Sequence, residues 1–391
     1  MSALVGATVP VARKMQLKDC ADMTENTKAT SITHTVTVTG YASGGEGVAH
    51  LNDGKVVFIR TAARGDKLEI EMTEEKPRSA RAKIVRIQTP SPYRIEPDCP
   101  YYPKCGGCDF RHIDYDEELN IKLQRINDAL ERIGGQKARV SEILRTGSTE
   151  GYRNKVVLHS NQQSIGLYSA QSNEIVPIDR CLLLKDNLND AIKNLTPGGK
   201  NTLRSGRNGL EPPLEEELDG LLFRISGFFQ VNTEAALLLF ERAREYAALT
   251  KKETRIDIYS GVGTLAIFVG RDAEHALGIE QNPAAVKTAM ENARINGLTH
   301  IGFICADAAK WETNIPNPDC VIVDPPRKGL SPDALRKILE LSPKRIVYIS
   351  CDPATFARDV RMLEGYKINK ICAVDMFPRT ANVEVCCLLT R

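Results

Sequence analysis

From residue 233 to the end of the chain, segments of two different periods alternate, and this restricts the fold more than any other feature. Short apolar runs ("RIDIYS", "HALGIE", "IGFICAD", "DCVIVDPP", "RIVYIS") are interleaved with stretches of helical spacing: 233–249, "TLAIFVGR", "AAVKTAMENARING" and "SPDALRKILEL". Strands this uniformly apolar must be covered on both faces, which a parallel sheet wrapped by helices achieves. The sequence therefore predicts an α/β fold with a doubly wound sheet over 233–391, finished by a hairpin of "KICAVDMF" and "VEVCCLLTR". Ligands of such sheets lie at the carboxyl ends of the strands.

Upstream the texture differs. Residues 31–90 carry short alternating runs such as "HTVTVTGYA", "KVVFIRTA" and "RAKIVRIQT", bounded by Gly, Asp or Asn. They read as about five strands of a small OB-like β-barrel. Residues 91–232 open with the Pro-, Gly- and Cys-rich "PSPYRIEPDCPYYPKCGGCDF". A helix over 116–135 follows, with Leu119, Leu123, Ile126, Leu130 and Ile133 on one stripe and a Gly-Gly stop, suited to pack on the last domain. Antiparallel strands complete a central α+β domain. Residues 1–30 lack periodicity and read as a loose tail.

No apolar run is long enough to cross a bilayer, and the N-terminus lacks a basic-then-apolar signal pattern, so a cytoplasmic protein with no membrane partner is expected. A net charge of +2 excludes a strong global field. Locally, "KPRSARAKIVR" hints at phosphate contact, with a solvated basic face as the alternative. No obligate protein partner is indicated.

The strand ends collect acids. "DIYSGVGTLAIF" places Asp257 at a strand end, then Gly261 and Gly263 before a helix, where a ligand can approach the backbone. Strand "ALGIE" ends in Glu280, suited to accept hydrogen bonds from ribose hydroxyls. Asp307 and Asp324 end two further strands. Four acids at successive strand ends suit S-adenosylmethionine, with its cationic ammonium and sulfonium groups, better than a pyrophosphate. Helix N-capping is the simpler role for Asp307 and Asp324.

The chain has 11 cysteines, many for a compartment where structural disulfides are rare. Cys99, Cys105 and Cys108 form Cys-x5-Cys-x2-Cys, and Cys181 can close a set of four. By spacing alone, tetrahedral zinc and an iron–sulfur cluster suit these thiolates equally. Cys351, in "YISCDPATFARD", ends an apolar run where a buried thiol would pack poorly. Cys20, Cys305, Cys320, Cys372, Cys386 and Cys387 lie in apolar strands or the tail and receive no chemistry.

"SGFFQVN", "DIYSGVGT", "VDPPRKGL", "SCDPATFARD" and "FPRTANVE", in this order, closely resemble the S-adenosylmethionine-dependent RNA uracil-5-methyltransferase family. "CPYYPKCGGC" resembles its iron–sulfur-containing members, and the small barrel their TRAM domain; the likeness covers roughly 31–391. It implies Cys351 as nucleophile and Glu384 as proton acceptor, and cofactor contacts by Gln230, Tyr259, Glu280 and Asp324. Phe229 is placed near the substrate base, although a core role is common for such a residue. The likeness also implies a [4Fe–4S] cluster on Cys99, Cys105, Cys108 and Cys181, and an RNA partner. Barrel plus cluster points first to 23S ribosomal RNA, and the T-loop uridine of tRNA comes second. The chain departs from the family pattern at Ser260, where cysteine is frequent, and at Asn382, where histidine is usual. Cytosine-5 methylation is disfavoured because "DPPR" lacks a helper thiol; Arg327 argues against amino-group methylation, and the Cys351–Glu384 pair against a relic RNA-binding module.

Overall fold

The computed structural model describes residues 33–313, 315 and 317–391. The expected tail over 1–30, with Cys20, lies outside the described residues.

Near the N-terminus, six strands rather than five form one sheet: Thr33–Thr37, Gly40–Tyr41, Gly47–His50, Val56–Ile59, Lys67–Glu75 and Ser79–Thr89. Its two edge strands, Thr33–Thr37 and Gly40–Tyr41, are neighbours in the chain, so the sheet curls round on itself. Val36, Val38, Val57, Ile59, Leu68 and Ile70 fill the interior at 5% exposure or less. The extra strand is a two-residue segment, too short to leave a periodic signal.

The middle of the chain forms a four-stranded antiparallel sheet (Ile175–Pro177, Ile165–Tyr168, Lys155–Ser160, Lys200–Arg204) and the hairpin Glu215–Leu218/Leu221–Arg224. The loop bearing Cys105 joins this sheet through Gly106, whose N–H donates to Tyr168 O at 3.0 Å.

The eight-stranded sheet runs Ile301–Cys305, His275–Glu280, Thr254–Ile258, Cys320–Val323, Arg345–Ser350, Glu384–Thr390, Lys367–Val374, Ile143–Leu144. The first five strands are parallel and Glu384–Thr390 is antiparallel to both its neighbours. Ile143–Leu144 is supplied by the central part of the chain. Alternating residues serve opposite faces. Ile322, Val347 and Ile349 meet helices Thr233–Ala247, Thr264–Gly270 and Pro283–Ile295. Val321, Ile346 and Tyr348 meet Pro332–Leu341, Pro353–Met362 and the helix Tyr115–Arg132. That third helix comes from before the sheet begins, and Ile126 and Leu130 lie in the sheet's core at 0% exposure. The stripe stops short of its expected end: the helix closes at Arg132, and Ile133 caps it at 39% exposure.

Polar groups also sit on this helix's buried face. Lys122 donates to Glu118 and Asp375 at 2.6 Å each, with all three almost wholly buried. Burial lifts the Glu118 pKa to about 7 against the pull of Lys122.

Candidate functional site

The strand order changes direction between Thr254–Ile258 and Cys320–Val323, so a crevice opens at their carboxyl ends. The turn after Ile258 is tight. Tyr259 sits at φ 73°, and its N–H and that of Ser260 both donate to Ile279 O at 2.9 and 3.0 Å. Gly263 caps the following helix at φ 81°, and a Cβ there would stand 2.9 Å from Ala289 and Phe303. Only glycine suits that position.

Glu280 is oriented by backbone donors: Gly261 N–H to Oε2 at 3.1 Å and Asn282 N–H to Oε1 at 2.8 Å. Each oxygen keeps a lone pair for a ligand. Two adjoining hollows share Tyr259. One, of about 460 Å³, is lined by Phe229, Gln230, Tyr259, Gly261, Asp257 and Asp324. The other, of about 840 Å³ and open to solvent, is lined by Tyr259, Glu280 and Asp307. Asp307 accepts from Ala309 N–H at 2.9 Å, a local turn bond of the kind expected of a strand-end acid.

Asp257 is 1% exposed, and neither of its carboxyl oxygens has a hydrogen-bond partner. Burial pushes its pKa up to about 7; Arg255 opposes the rise, while Asp324 and Glu280 add to it. Burial likewise pushes Asp324 up to about 6. A buried, unpartnered Asp257 with Asp324 close by disfavours an anionic ligand and favours a cation.

Cys351 follows strand Arg345–Ser350 and precedes Asp352, which caps helix Pro353–Met362 by accepting from Thr355 N–H at 2.8 Å. The antiparallel register pairs Ser350 with Val385, so Cys351 and Glu384 stand opposite each other one step further on. Burial raises the thiol to about 11, Glu384 and Asp324 add to the rise, and Arg327 opposes it. Glu384 is 4% exposed, and burial pushes it up to about 8 with Asp324 adding and Arg327 opposing. Burial thus works against charge on both groups, and Arg327 favours their charged forms.

That guanidinium was overlooked as a site group in the sequence, where its one signal is its place after Asp-Pro-Pro. Arg327 also donates to Asn382 Oδ1 at 3.4 Å, so asparagine at this departure from the family pattern orients the arginine. Arg125, on the distant helix Tyr115–Arg132, donates to Ala381 O at 2.6 Å and lies 3.9 Å from Asp352. It links the segments that carry Cys351 and Glu384, and no local pattern announces it.

Cys99, Cys105, Cys108 and Cys181 line one pocket of about 360 Å³ with Arg111 and Arg180. Among the described residues, no group of three or more His, Cys, Asp or Glu is gathered round a point as a single metal ion requires. Cys305 is exposed, while Cys320, Cys372, Cys386 and Cys387 are buried in the large sheet. In the basic strand Ser79–Thr89, Arg81, Lys83 and Arg86 pair with Glu74, Glu71 and Glu69 across the sheet and stay exposed to solvent.

Comparison with known proteins agrees with this geometry. The tRNA (Uracil-5-)-methyltransferase family matches residues 313–391, the TRAM domain 33–85 and the TRM5/TYW2 methyltransferase domain 235–331. An uncharacterised RNA methyltransferase of Caldanaerobacter subterraneus is 33% identical over 91% of this chain and 97% of its own. One from Clostridium acetobutylicum is 31% identical over 90% and 95%. The crystal structure of Pyrococcus abyssi tRNA (uracil-54, C5)-methyltransferase with S-adenosyl-L-homocysteine superposes with a TM-score of 0.72 and 26% identity, over 91% of this chain and 100% of that one. No helix among the described residues is long and apolar enough to cross a membrane. With a crevice suited to a cation, a TRAM barrel and relatives spanning nearly the whole chain, the protein belongs to the S-adenosylmethionine-dependent RNA uracil-5-methyltransferase family.

Proposed function

We propose that the protein methylates carbon 5 of a uridine in structured RNA through a covalent bond between Cys351 and the base. The observation that carries this reading is the placement of Cys351 opposite Glu384, with Asp324 of the crevice near both. Carbon 5 of uracil is a weak nucleophile. Addition of the Cys351 thiolate at carbon 6 converts the ring to an enolate whose carbon 5 is electron-rich. Arg327 favours the thiolate against burial, and the N-terminus of helix Pro353–Met362 adds a positive end beside it. S-adenosylmethionine supplies an electrophilic methyl group at carbon 5. Glu384 then takes the carbon 5 proton, and the thiolate leaves.

Asp257 and Asp324 would hold the cofactor's cationic end, and Gln230, Tyr259, Gly261 and Gly263 would shape its cradle. Glu280 would take the ribose and Asp307 the far rim. A stacked base cannot reach a thiol at this depth, so the target uridine must be flipped out of a loop.

The four cysteines would hold a [4Fe–4S] cluster. Arg111, on the same pocket, has buried Nε and Nη2 atoms without partners, which suits a negatively charged cluster. With all four ligands from protein, the cluster's role is to hold the loop in shape.

Large-subunit ribosomal RNA in the cytoplasm is the first substrate to test. A tRNA T-loop is the second, favoured by the likeness to the Pyrococcus abyssi enzyme. Incubation with 5-fluorouridine RNA and S-adenosylmethionine should yield a denaturation-stable protein–RNA complex, because fluorine blocks the final proton removal. Loss of that complex in Cys351→Ala is expected, and its persistence would refute the reading. Mapping 5-methyluridine in rRNA and tRNA from cells with and without the gene identifies the substrate.

A further inference from the structure

The loop from Asp375 to Val383 delivers Glu384, and its shape is imposed from outside the large sheet. Arg379 is held at φ 68°, a left-handed conformation that costs a non-glycine residue and persists only when its surroundings enforce it. The enforcing contacts come from helix Tyr115–Arg132, where Glu118 Oε1 accepts from Arg379 N–H at 2.7 Å and Arg125 donates to Ala381 O at 2.6 Å, and from the cysteine segment. Arg379 O accepts from Asp109 N–H at 2.9 Å and Phe110 N–H at 3.2 Å. Asp109 Oδ2 in turn accepts from Ala381 N–H at 2.8 Å. Tyr152 clamps the same turn, donating to Pro378 O at 2.9 Å. Asp109 directly follows Cys108, and Tyr102 donates to Asp109 O at 3.1 Å.

We propose that Asp109 is a positioning residue for the proton-removal step: it clamps the 378–381 turn onto the cysteine-bearing segment and so sets the reach of Glu384. This rests on the reading of Glu384 as proton acceptor. In that step the carbon 5–hydrogen bond breaks and its proton passes to a Glu384 oxygen. The released electron pair forms the carbon 5–carbon 6 double bond, and the carbon 6–sulfur pair returns to Cys351 as thiolate. Methyl transfer precedes this step and does not need Glu384, so a displaced turn should stall the enzyme after methylation, with RNA still attached. The role of the cysteine centre thereby extends from holding its own loop in shape to setting the geometry of one chemical step.

The test uses the full-length holoprotein, an unmodified RNA transcript that the wild type methylates and methyl-labelled S-adenosylmethionine. Asp109→Ala should keep a first-turnover burst at the wild-type rate and an unchanged KM for RNA. Its steady turnover should fall about tenfold, the size expected for one lost hydrogen bond, and a denaturation-stable adduct should accumulate on ordinary uridine RNA. Asp109→Asn, whose amide oxygen can still accept from Ala381 N–H, should restore turnover. Tyr152→Phe should accumulate the same adduct in smaller amount, and decides the matter should Asp109→Ala not fold. A slowed burst, a raised KM without adduct, no change in Asp109→Ala, failed rescue by asparagine or no adduct in Tyr152→Phe would each overturn the proposal. Glu384→Gln separates the two levels: if that variant turns over without adduct, the reading of Glu384 itself is wrong, whatever Asp109→Ala does.

Discussion

Cys351 and Glu384 face each other across one strand pair, yet stretches of chain of very different length hold them in place. Cys351 is placed locally. Strand Arg345–Ser350 runs straight into it, Asp352 caps the helix that follows, and Ser350 Oγ accepts from Asp352 N–H at 3.2 Å. Glu384 follows a loop bonded to Asp109, Arg125 and Tyr152, at sequence separations of 272, 256 and 226 residues. The comparison teaches that a proposed nucleophile can be carried by a motif, whereas the proposed base depends on three parts of the molecule docking together. Cys351 should therefore be sensitive to few substitutions outside its motif, and Glu384 to many.

The largest expected effect tests the division of labour directly. Glu384→Gln should lower steady turnover on the order of 10³-fold, within the range for loss of a general base, while rapid-quench measurement still finds first-turnover methyl transfer. Equal loss of both would break the comparison, because the two residues would then share one step.

Next comes the anchoring of the base-bearing loop. Lys122→Met leaves Glu118 and Asp375 buried without their shared cation, and breaking such a site costs about 3–5 kcal/mol. Urea unfolding should show that loss, and a change below about 1 kcal/mol would mean the helix Tyr115–Arg132 is held by its apolar contacts alone.

A third expectation concerns the cofactor side. Folded-state pKa values of about 7 for Asp257 and about 6 for Asp324 lie above the ordinary carboxylate range, so both acids are largely neutral below those values. A cationic ligand binds the ionised forms. Affinity for S-adenosylmethionine should therefore rise from pH 5 to pH 8 by about tenfold or more, with protons released on binding below about pH 7, both read by calorimetry. Affinity flat with pH would place the cation elsewhere.

The smallest effect belongs to the local arm. Asp352→Ala removes one N-cap and should cost about 1 kcal/mol, seen as a modest fall in Tm. Its adduct with 5-fluorouridine RNA should form more slowly, while turnover on ordinary uridine RNA should release product normally. Accumulation of adduct on ordinary uridine RNA in this variant would show that the cap also serves the base.

Much of the crevice was legible because its causes are local. The turn at Gly261 and Gly263 and the acids ending strands follow from spacing and residue type, and the same spacing placed Ile126 and Leu130 in the core. Lys122 lies on that apolar face, three residues after Leu119 and four before Ile126, yet spacing could not say that Asp375 receives it. The pairing of the basic strand is hidden for a related reason, since its glutamates sit on another strand. Arg327 and Arg125 act on the site across space, and neither belongs to a periodic pattern.

Residue order alone settled that the last part of the chain becomes a helix-wrapped parallel sheet, and that a thiol and several carboxyls crowd its open end. Period, turn chemistry and burial act over a few residues, and a linear reading captures them. Which guanidinium lies near Cys351, which helix from before the sheet braces it, and which segment shapes the loop delivering Glu384 were decided only on folding. Electrostatics and hydrogen bonding depend on distance in space, and two hundred residues of separation say nothing about that distance.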